Sequence, residues 1–257
     1  MRYGREILAV CFRILTELGR RRRSLVFWAL FPAVLLVLNA LILEERSGIS
    51  RADAFTNALS PTLVGAALFF SCLGGSVATV VSEREQQTLK RLFLSPLSGL
   101  SYFLGIFAAH CAIGLGQTVL MYAIAWQQGA SFEGSWQLAG AIIVLSIVTY
   151  TGVGFLLGTQ FARRTEDVNA LVAAFGVPLL LLGGAFLPTS LFPDSLAKIA
   201  QFNPIYHMIA ALSEVVAVGG SLADIQGHFG ILIGFAIATT VLGWLAYRRM
   251  VAVEKRL

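Results

Sequence analysis

The side chains that most often carry catalysis are few and widely separated in this sequence. The histidines and cysteines are His110, His207, His228, Cys11, Cys72 and Cys111. Their spacing contains neither a CxxC pair nor an HExxH motif, so it indicates no zinc site and no disulfide framework. The three lysines follow Leu89, Ala197 and Glu254, never glycine, so there is no phosphate-binding GxxxxGK[ST] loop. We predict no catalytic residue, no metal ligand and no ATP hydrolysis through a P-loop.

Polar residues inside long apolar segments are the second group that could act chemically. Asn39, His110 and Gln117 are three such residues, and the last two lie seven positions apart on one helix face. Polar groups at membrane depth usually face an interior or a water-filled path. They also serve as hydrogen-bond partners between helices. We therefore regard these three residues as possible cavity residues, with interhelical hydrogen bonding as the alternative.

The amino-acid composition indicates whether the chain folds in water or in a membrane. The chain has 257 residues, of which 57% are hydrophobic and 13% charged, and its mean hydropathy is +0.77. Soluble domains carry about 25% charged residues, so this chain has roughly half the charge of a soluble or disordered protein. The net charge of +5 is mild and does not favour a nucleic-acid partner. An integral membrane protein is predicted.

Six segments are long and apolar enough to cross a bilayer. A helix needs about 20 mainly apolar residues to span the hydrocarbon core. The predicted spans are residues 24–43, 57–82, 99–126, 136–161, 168–187 and 225–247. We predict an all-α, multi-pass membrane protein that forms a single transmembrane domain over residues 1–257.

The basic residues predict the orientation of these spans. Sixteen of the nineteen lysines and arginines fall before span one, between spans two and three, between spans four and five, or after span six. Basic residues accumulate on the cytoplasmic side of membrane proteins. Both termini are therefore expected in the cytoplasm, and an even number of crossings agrees, because it requires the termini to share a side. The expected location is the cytoplasmic membrane.

Residues 3–19 form a predicted amphipathic helix ahead of the first span. Ile7, Cys11, Ile14 and Leu18 recur at helical spacing, whereas arginines and glutamates occupy the other faces. Such a helix is suited to the cytoplasmic headgroup layer, with membrane lipid as its partner. We predict a lateral interface helix, and the alternative is a signal that only fixes the orientation.

The most polar stretch between two spans is residues 83–96. Its acids come first and its bases last, which favours a short helix, and Pro96 prevents the helix from continuing. Leu89, Leu92 and Phe93 would form an apolar face that can dock on a soluble partner. The alternative is a solvated charge run whose leucines fold back on the membrane.

The segment between spans five and six, residues 188–220, is too apolar for an ordinary loop. Pro188 interrupts it, and Asn203 followed by Pro204 is a helix N-cap with proline at the first helical position. About 15 helical residues reach only about 22 Å, too short to cross. We predict a re-entrant helical hairpin on the outer side, and the alternative is an apolar cap on the outer surface.

Two segments together resemble the ABC-2 family of ATP-binding-cassette exporter permeases. The first is Glu83-Arg84-Glu85-Gln86-Gln87-Thr88-Leu89-Lys90-Arg91-Leu92 with Ser95-Pro96. The second is Gly183-Gly184-Ala185-Phe186-Leu187-Pro188 with Leu191-Phe192-Pro193 and Asn203-Pro204. Gln87 stands where the family usually has glycine, and Ser213-Glu214 stands where many members have arginine.

The resemblance implies a permease subunit that pairs with a second copy or a homologue and sits on two ABC ATPase subunits. ATP and Mg²⁺ would bind the ATPases, and this chain would carry no cofactor. Residues 83–96 would be the coupling helix, with contacts from Glu83, Arg84, Glu85, Thr88, Leu89, Arg91 and Leu92. The implied substrate is a small amphiphile such as a drug or lipid, and the alternative is a polysaccharide or glycolipid. A membrane scaffold or an intramembrane enzyme without transport is the alternative from another class.

Overall fold

The computed structural model describes residues 2–20, 22–86, 88, 97–162 and 164–254. Every regular element in these ranges is a helix, which confirms the all-α prediction. In chain order they are α1 (Arg2–Arg20), α2 (Arg22–Ser47), α3 (Arg51–Glu85), α4 (Gly99–Gln127), α5 (Trp136–Gln160), α6 (Thr165–Leu182), α7 (Asp194–Ala200), α8 (Pro204–Val218) and α9 (Leu222–Glu254).

Six of these helices are long and apolar enough to cross a membrane: α2, α3, α4, α5, α6 and α9. The predicted number of spans is therefore confirmed, although some bounds differ. Helix α6 ends at Leu182, five residues before the predicted end, because Gly183 begins a turn in which Gly184 has a φ of +84°. Glycine adopts this left-handed conformation without the steric cost of a Cβ.

Serine side chains begin three of the long helices. Ser50, Ser98 and Ser135 each accept a hydrogen bond from the backbone N–H three residues later, at 3.1, 3.0 and 3.3 Å. An N-cap of this kind satisfies one of the N–H groups that a helix leaves unpaired at its start. These local signals fix where α3, α4 and α5 begin.

Helix α3 is the central helix of the bundle. In its apolar 18-residue stretch, 78% is buried inside the protein, against 22–56% in the corresponding stretches of the other five candidate spans. Its middle part, Leu63–Gly74, is π-helical, a wider turn that is often found at functional positions. Helices α2, α4 and α5 pack against this part of α3.

Close packing of α5 on α3 depends on Gly154. A Cβ at this position would lie 2.0 Å from Ser76 Oγ and 2.5 Å from the backbone oxygen of Leu73. By contrast, a Cβ at Gly234 of α9 would meet no atom within 4 Å. Glycine pairs let helix backbones approach closely, but in α5 and α9 the same residue type has different surroundings.

We expect Gly154→Ala to destabilise the protein and Gly234→Ala to leave it unchanged or stabilise it. Overpacking costs about 1–3 kcal/mol, whereas alanine in an unhindered helix interior gains about 1 kcal/mol over glycine. Thermal unfolding of the two variants in the same detergent measures the difference. Equal unfolding temperatures would contradict the tight α3–α5 contact.

Candidate functional site

The amphipathic helix α1 packs against the protein with the face that the sequence predicts for lipid. Val10, Cys11 and Ile14 are buried, and Val10 fills the space above Gly105, where a Cβ would lie 2.6 Å from it. These residues form one apolar cluster with side chains of α4 and α9. Cys11 and Ile14 of the predicted interface helix are therefore covered by α4, whereas Ile7 and Leu18 are half-buried.

Glu6 fastens the start of α1 to the start of α4. Its carboxylate accepts hydrogen bonds from Arg2 Nε at 2.9 Å and from the backbone N–H of Ser98 at 3.3 Å. Hydrogen bonds from Ser101, Arg2 and the Ser98 amide hold the pKa of Glu6 below its ordinary value. The ionised carboxylate thus lies at the positive end of α4, where helix geometry favours an anion.

Glu83 lies in the last turn of α3 and connects that helix to α1 and α4. Its carboxylate is 3% exposed, forms an ion pair with Arg13 of α1 and accepts a hydrogen bond from the Tyr102 hydroxyl of α4. We predicted that Glu83 begins a separate coupling helix. It belongs instead to the helix of span two, because α3 continues to Glu85.

Arg84 connects α3 to the end of α5. Its Nη1 donates to the backbone oxygens of Gly158 at 3.2 Å, Thr159 at 3.5 Å and Ala162 at 3.1 Å. Helix α5 ends at Gln160, so these belong to its last turn and the residues after it. The last carbonyls of a helix have no partner within the helix, and a cation there also matches the helix dipole.

Glu85 continues the pattern toward α6, since it accepts a hydrogen bond from the hydroxyl of Thr165, the first residue of that helix. Residues 83–85 are here called the hub. Glu83 contacts α1 and α4, Arg84 contacts α5, and Glu85 contacts α6. Thr88 is half-buried, whereas Leu89, Arg91 and Leu92 lie outside the described residues. The hub contains the first three residues of the predicted coupling segment, residues 83–96.

A cavity of about 450 Å³ lies between α2, α3 and α6. Its walls are mainly apolar and aromatic, with Phe27 and Trp28 from α2 and Phe70 from α3. Arg23 and Asn169, near the first residues of α2 and α6, supply polar groups. Pockets of this size that combine apolar walls with a few polar groups are typical of small-molecule sites. We call it the α2–α3–α6 cavity.

None of the three polar residues that we considered for a cavity lines this one. Asn39 donates from Nδ2 to Thr62 Oγ1 at 3.2 Å, so it connects α2 to α3 as the alternative interpretation proposed. His110 is fully buried beside Gly75, and Gln117 is 8% exposed. Both ring nitrogens of His110 lack a hydrogen-bond partner among the described residues. The sequence pattern located these side chains inside the bundle but not beside the cavity.

The segment after α6 is built around the predicted turn residues. The carbonyl of Pro188 accepts from Leu191 N–H at 3.0 Å in a short 3₁₀ turn. Asn203 caps α8, accepting from Ile205 N–H at 3.0 Å, and its Nδ2 donates to the Leu179 oxygen of α6 at 2.6 Å. Pro204 is the first residue of α8. The Asn203-Pro204 pair therefore begins α8 and fastens it to α6.

Sequence reasoning missed Arg13 and Tyr102, the two partners of Glu83. Arg13 lies outside the apolar face of its helix, where a charged residue is expected, so its position did not indicate a buried partner. Tyr102 did not indicate a buried hydrogen bond to Glu83, because a tyrosine near a membrane boundary is typical of an aromatic belt. The contributions of Phe27, Trp28 and Phe70 to one cavity were missed because an aromatic residue in a span does not show which other residues lie beside it.

Comparison with known proteins gives a family match over most of the chain. Residues 28–245 match the sequence model of a family described as ABC-2 family transporter protein. The match begins within α2 and ends within α9, so it covers all six candidate spans wholly or in part.

Three relatives of the chain are named as permeases. The chain is 24% identical to the inner membrane transport permease YadH of Escherichia coli over 91% of its own length and 92% of YadH. It is 26% identical to the linearmycin resistance permease protein LnrN of Bacillus subtilis, covering 80% of this chain and 52% of LnrN. It is also 26% identical to the probable multidrug ABC transporter permease YbhR of Escherichia coli, over 67% of this chain and 47% of YbhR. The chain thus spans about half the length of LnrN and YbhR.

Proposed function

This chain belongs to the ABC-2 family of transporter proteins, and we propose that it is the permease subunit of an ATP-driven exporter. Two separate ATPase subunits would bind ATP and Mg²⁺, and a second permease copy or a homologue would complete the path across the membrane. The relatives named as transport permeases support this proposal, and YadH corresponds to the chain over nearly its whole length.

The hub is the observation that carries the proposal. Residues 86–96 follow it directly along the chain, so a partner that moves this segment would pull on Glu83, Arg84 and Glu85. Those residues are bonded to α1, α4, α5 and α6. Movement of this one segment would thus reach four helices besides α3 itself.

The proposed orientation places the hub and both termini in the cytoplasm. Stacking of Tyr102 on Tyr247, with ring centroids 5.5 Å apart, brings the last turns of α9 to the same end of the bundle as α1. The basic segments predicted to be cytoplasmic flank this end. An ATPase bound there would contact the segment that follows the hub.

The proposed substrate is a small amphiphile, a drug or a lipid, that binds the α2–α3–α6 cavity. Phe27, Trp28 and Phe70 offer apolar and aromatic surface, while Arg23 and Asn169 offer a cation and an amide. This combination fits a molecule with an apolar body and a polar or anionic group. The names of LnrN and YbhR, which mention linearmycin resistance and multidrug transport, support a drug-like substrate.

We expect the double substitution Leu89→Asp and Leu92→Asp to abolish stimulation of the partner ATPase by substrate. Carboxylates at both positions would remove the predicted apolar docking face. The measurement is ATP hydrolysis by the purified permease–ATPase complex with and without substrate, and Gln86→Asp is the control because Gln86 is exposed in the same segment. Unchanged stimulation in the double variant would contradict the coupling assignment.

A further inference from the structure

Two histidines meet at the contact between α8 and α9. Nδ1 of His207 lies 2.7 Å from Nδ1 of His228, and Nε2 of His207 lies 2.8 Å from the backbone oxygen of Gln201, at the end of α7. His207 is buried, and the Tyr206 ring packs edge-on against both imidazoles. These contacts join α7, α8 and α9 at one point.

The Gln201 oxygen determines where the protons lie. A carbonyl only accepts, so Nε2 of His207 must carry a hydrogen. When His207 is neutral, its Nδ1 therefore carries a lone pair and can only accept. The 2.7 Å contact then requires His228 to carry its hydrogen on Nδ1. The lone pair of His228 is then on Nε2.

While the two imidazole rings stay in contact, the pair can take up only one further proton. That proton binds Nε2 of His228 and leaves the bond between the rings intact. A second would have to bind Nδ1 of His207, where two N–H groups and two positive rings would face each other at 2.7 Å. Among the described residues, His207 and Glu214 are the titratable groups whose charge acts on His228.

We propose that the His207–His228 contact is an acid-sensitive latch that holds the segment containing α7 and α8 against α9. Separation of α8 from α9 frees both imidazoles to be protonated, so opening takes up a proton and is favoured as the pH falls. The latch lies about 28 Å along α9 from Tyr247 and the hub end. It follows from the helix contact and requires no particular substrate.

Hydrogen exchange of the α8 amides in the purified, reconstituted protein tests the latch. After correction for the intrinsic pH dependence of exchange, uptake of one proton per opening raises exchange at most tenfold per pH unit. For the wild type we expect a rise of about tenfold in residues 204–218 between pH 7.5 and pH 5.5.

Two substitutions at residue 228 separate the latch from a general effect of acid. Glutamine can donate to His207 or, after rotation of its amide, accept from it, so His228→Gln should keep α8 protected at both pH values. His228→Phe cannot bond to His207 and should leave α8 unprotected at both. If His228→Phe does not fold, the pH response of α8 exchange in the wild type and in His228→Gln still tests the latch.

Asp224→Asn is the matched control, because it removes an exposed carboxylate one turn away on the same helix. This variant should keep the wild-type pH response. A wild type whose corrected α8 exchange does not change with pH would overturn the proposal. So would a His228→Gln variant with the wild-type response.

Discussion

Replacement of Glu83 by alanine is expected to lower the free energy of unfolding by about 3–5 kcal/mol, the cost typical of breaking a buried ion pair from one side. Glu83 is 3% exposed, and its carboxylate neutralises Arg13 and accepts from the Tyr102 hydroxyl. Without it, the Arg13 guanidinium, whose side chain is 32% exposed, loses its ion-pair partner. Since this pair joins α1 to α3, the variant should also lose substrate stimulation of the proposed partner ATPase.

A double-mutant cycle distinguishes the ion pair from a general loss of packing. Arg13→Met should also destabilise, because it leaves the Glu83 carboxylate unpaired. The double variant Glu83→Gln with Arg13→Met should lose less unfolding free energy than Glu83→Gln and Arg13→Met lose together as single variants. In the double variant neither charge is left without its partner. Arg5→Met, which removes an exposed cation from the same helix, should have little effect on urea or thermal unfolding. Strictly additive effects of Glu83→Gln and Arg13→Met would contradict a direct interaction.

The membrane spans were predictable because their signal is local. About 20 consecutive apolar residues can be recognised without knowing what packs against them, and serine caps such as Ser98 and Ser135 mark helix starts within four residues. The re-entrant position of residues 188–220 and the side of the membrane on which the termini lie stay predictions.

Contacts between distant segments were not predictable in the same way. Arg13 and Glu83 are 70 residues apart, and nothing in either segment indicates the other. The apolar face of α1 illustrates a second difficulty: Cys11 and Ile14 would have the same spacing whether lipid or α4 covered them. Periodicity identifies an apolar face but not its partner.

Polar side chains inside the spans raise a related difficulty. Asn39, His110 and Gln117 gave the same sequence signal, a polar residue in an apolar run. Asn39 proved to be a hydrogen-bond partner of Thr62, and none of the three lines the α2–α3–α6 cavity. That cavity is formed where α2, α3 and α6 fail to fill the space between them, a property of the packing rather than of any one segment.

Arg84→Met is expected to lower the free energy of unfolding by about 1.5–3 kcal/mol, the range for hydrogen bonds to charged groups. It is also expected to reduce coupling between the partner ATPase and α5. The guanidinium donates from Nη1 to three backbone oxygens that end α5, and methionine retains the apolar stem without any donor. Loss of these bonds would let the last turn of α5 fray, so movement of the hub would no longer reach this helix.

Arg84→Lys separates the charge from the geometry. An ammonium group has three N–H donors and keeps the favourable interaction with the helix end, but its nitrogen reaches less far from the backbone than Nη1 of arginine. Lysine should therefore restore part of the stability and part of the ATPase stimulation that methionine removes. Arg46→Met is the control, because Arg46 is an exposed cation in the last turn of α2. If Arg84→Met matched the wild type in thermal unfolding and in stimulated ATP hydrolysis, the hub would reach α5 by some contact other than this guanidinium.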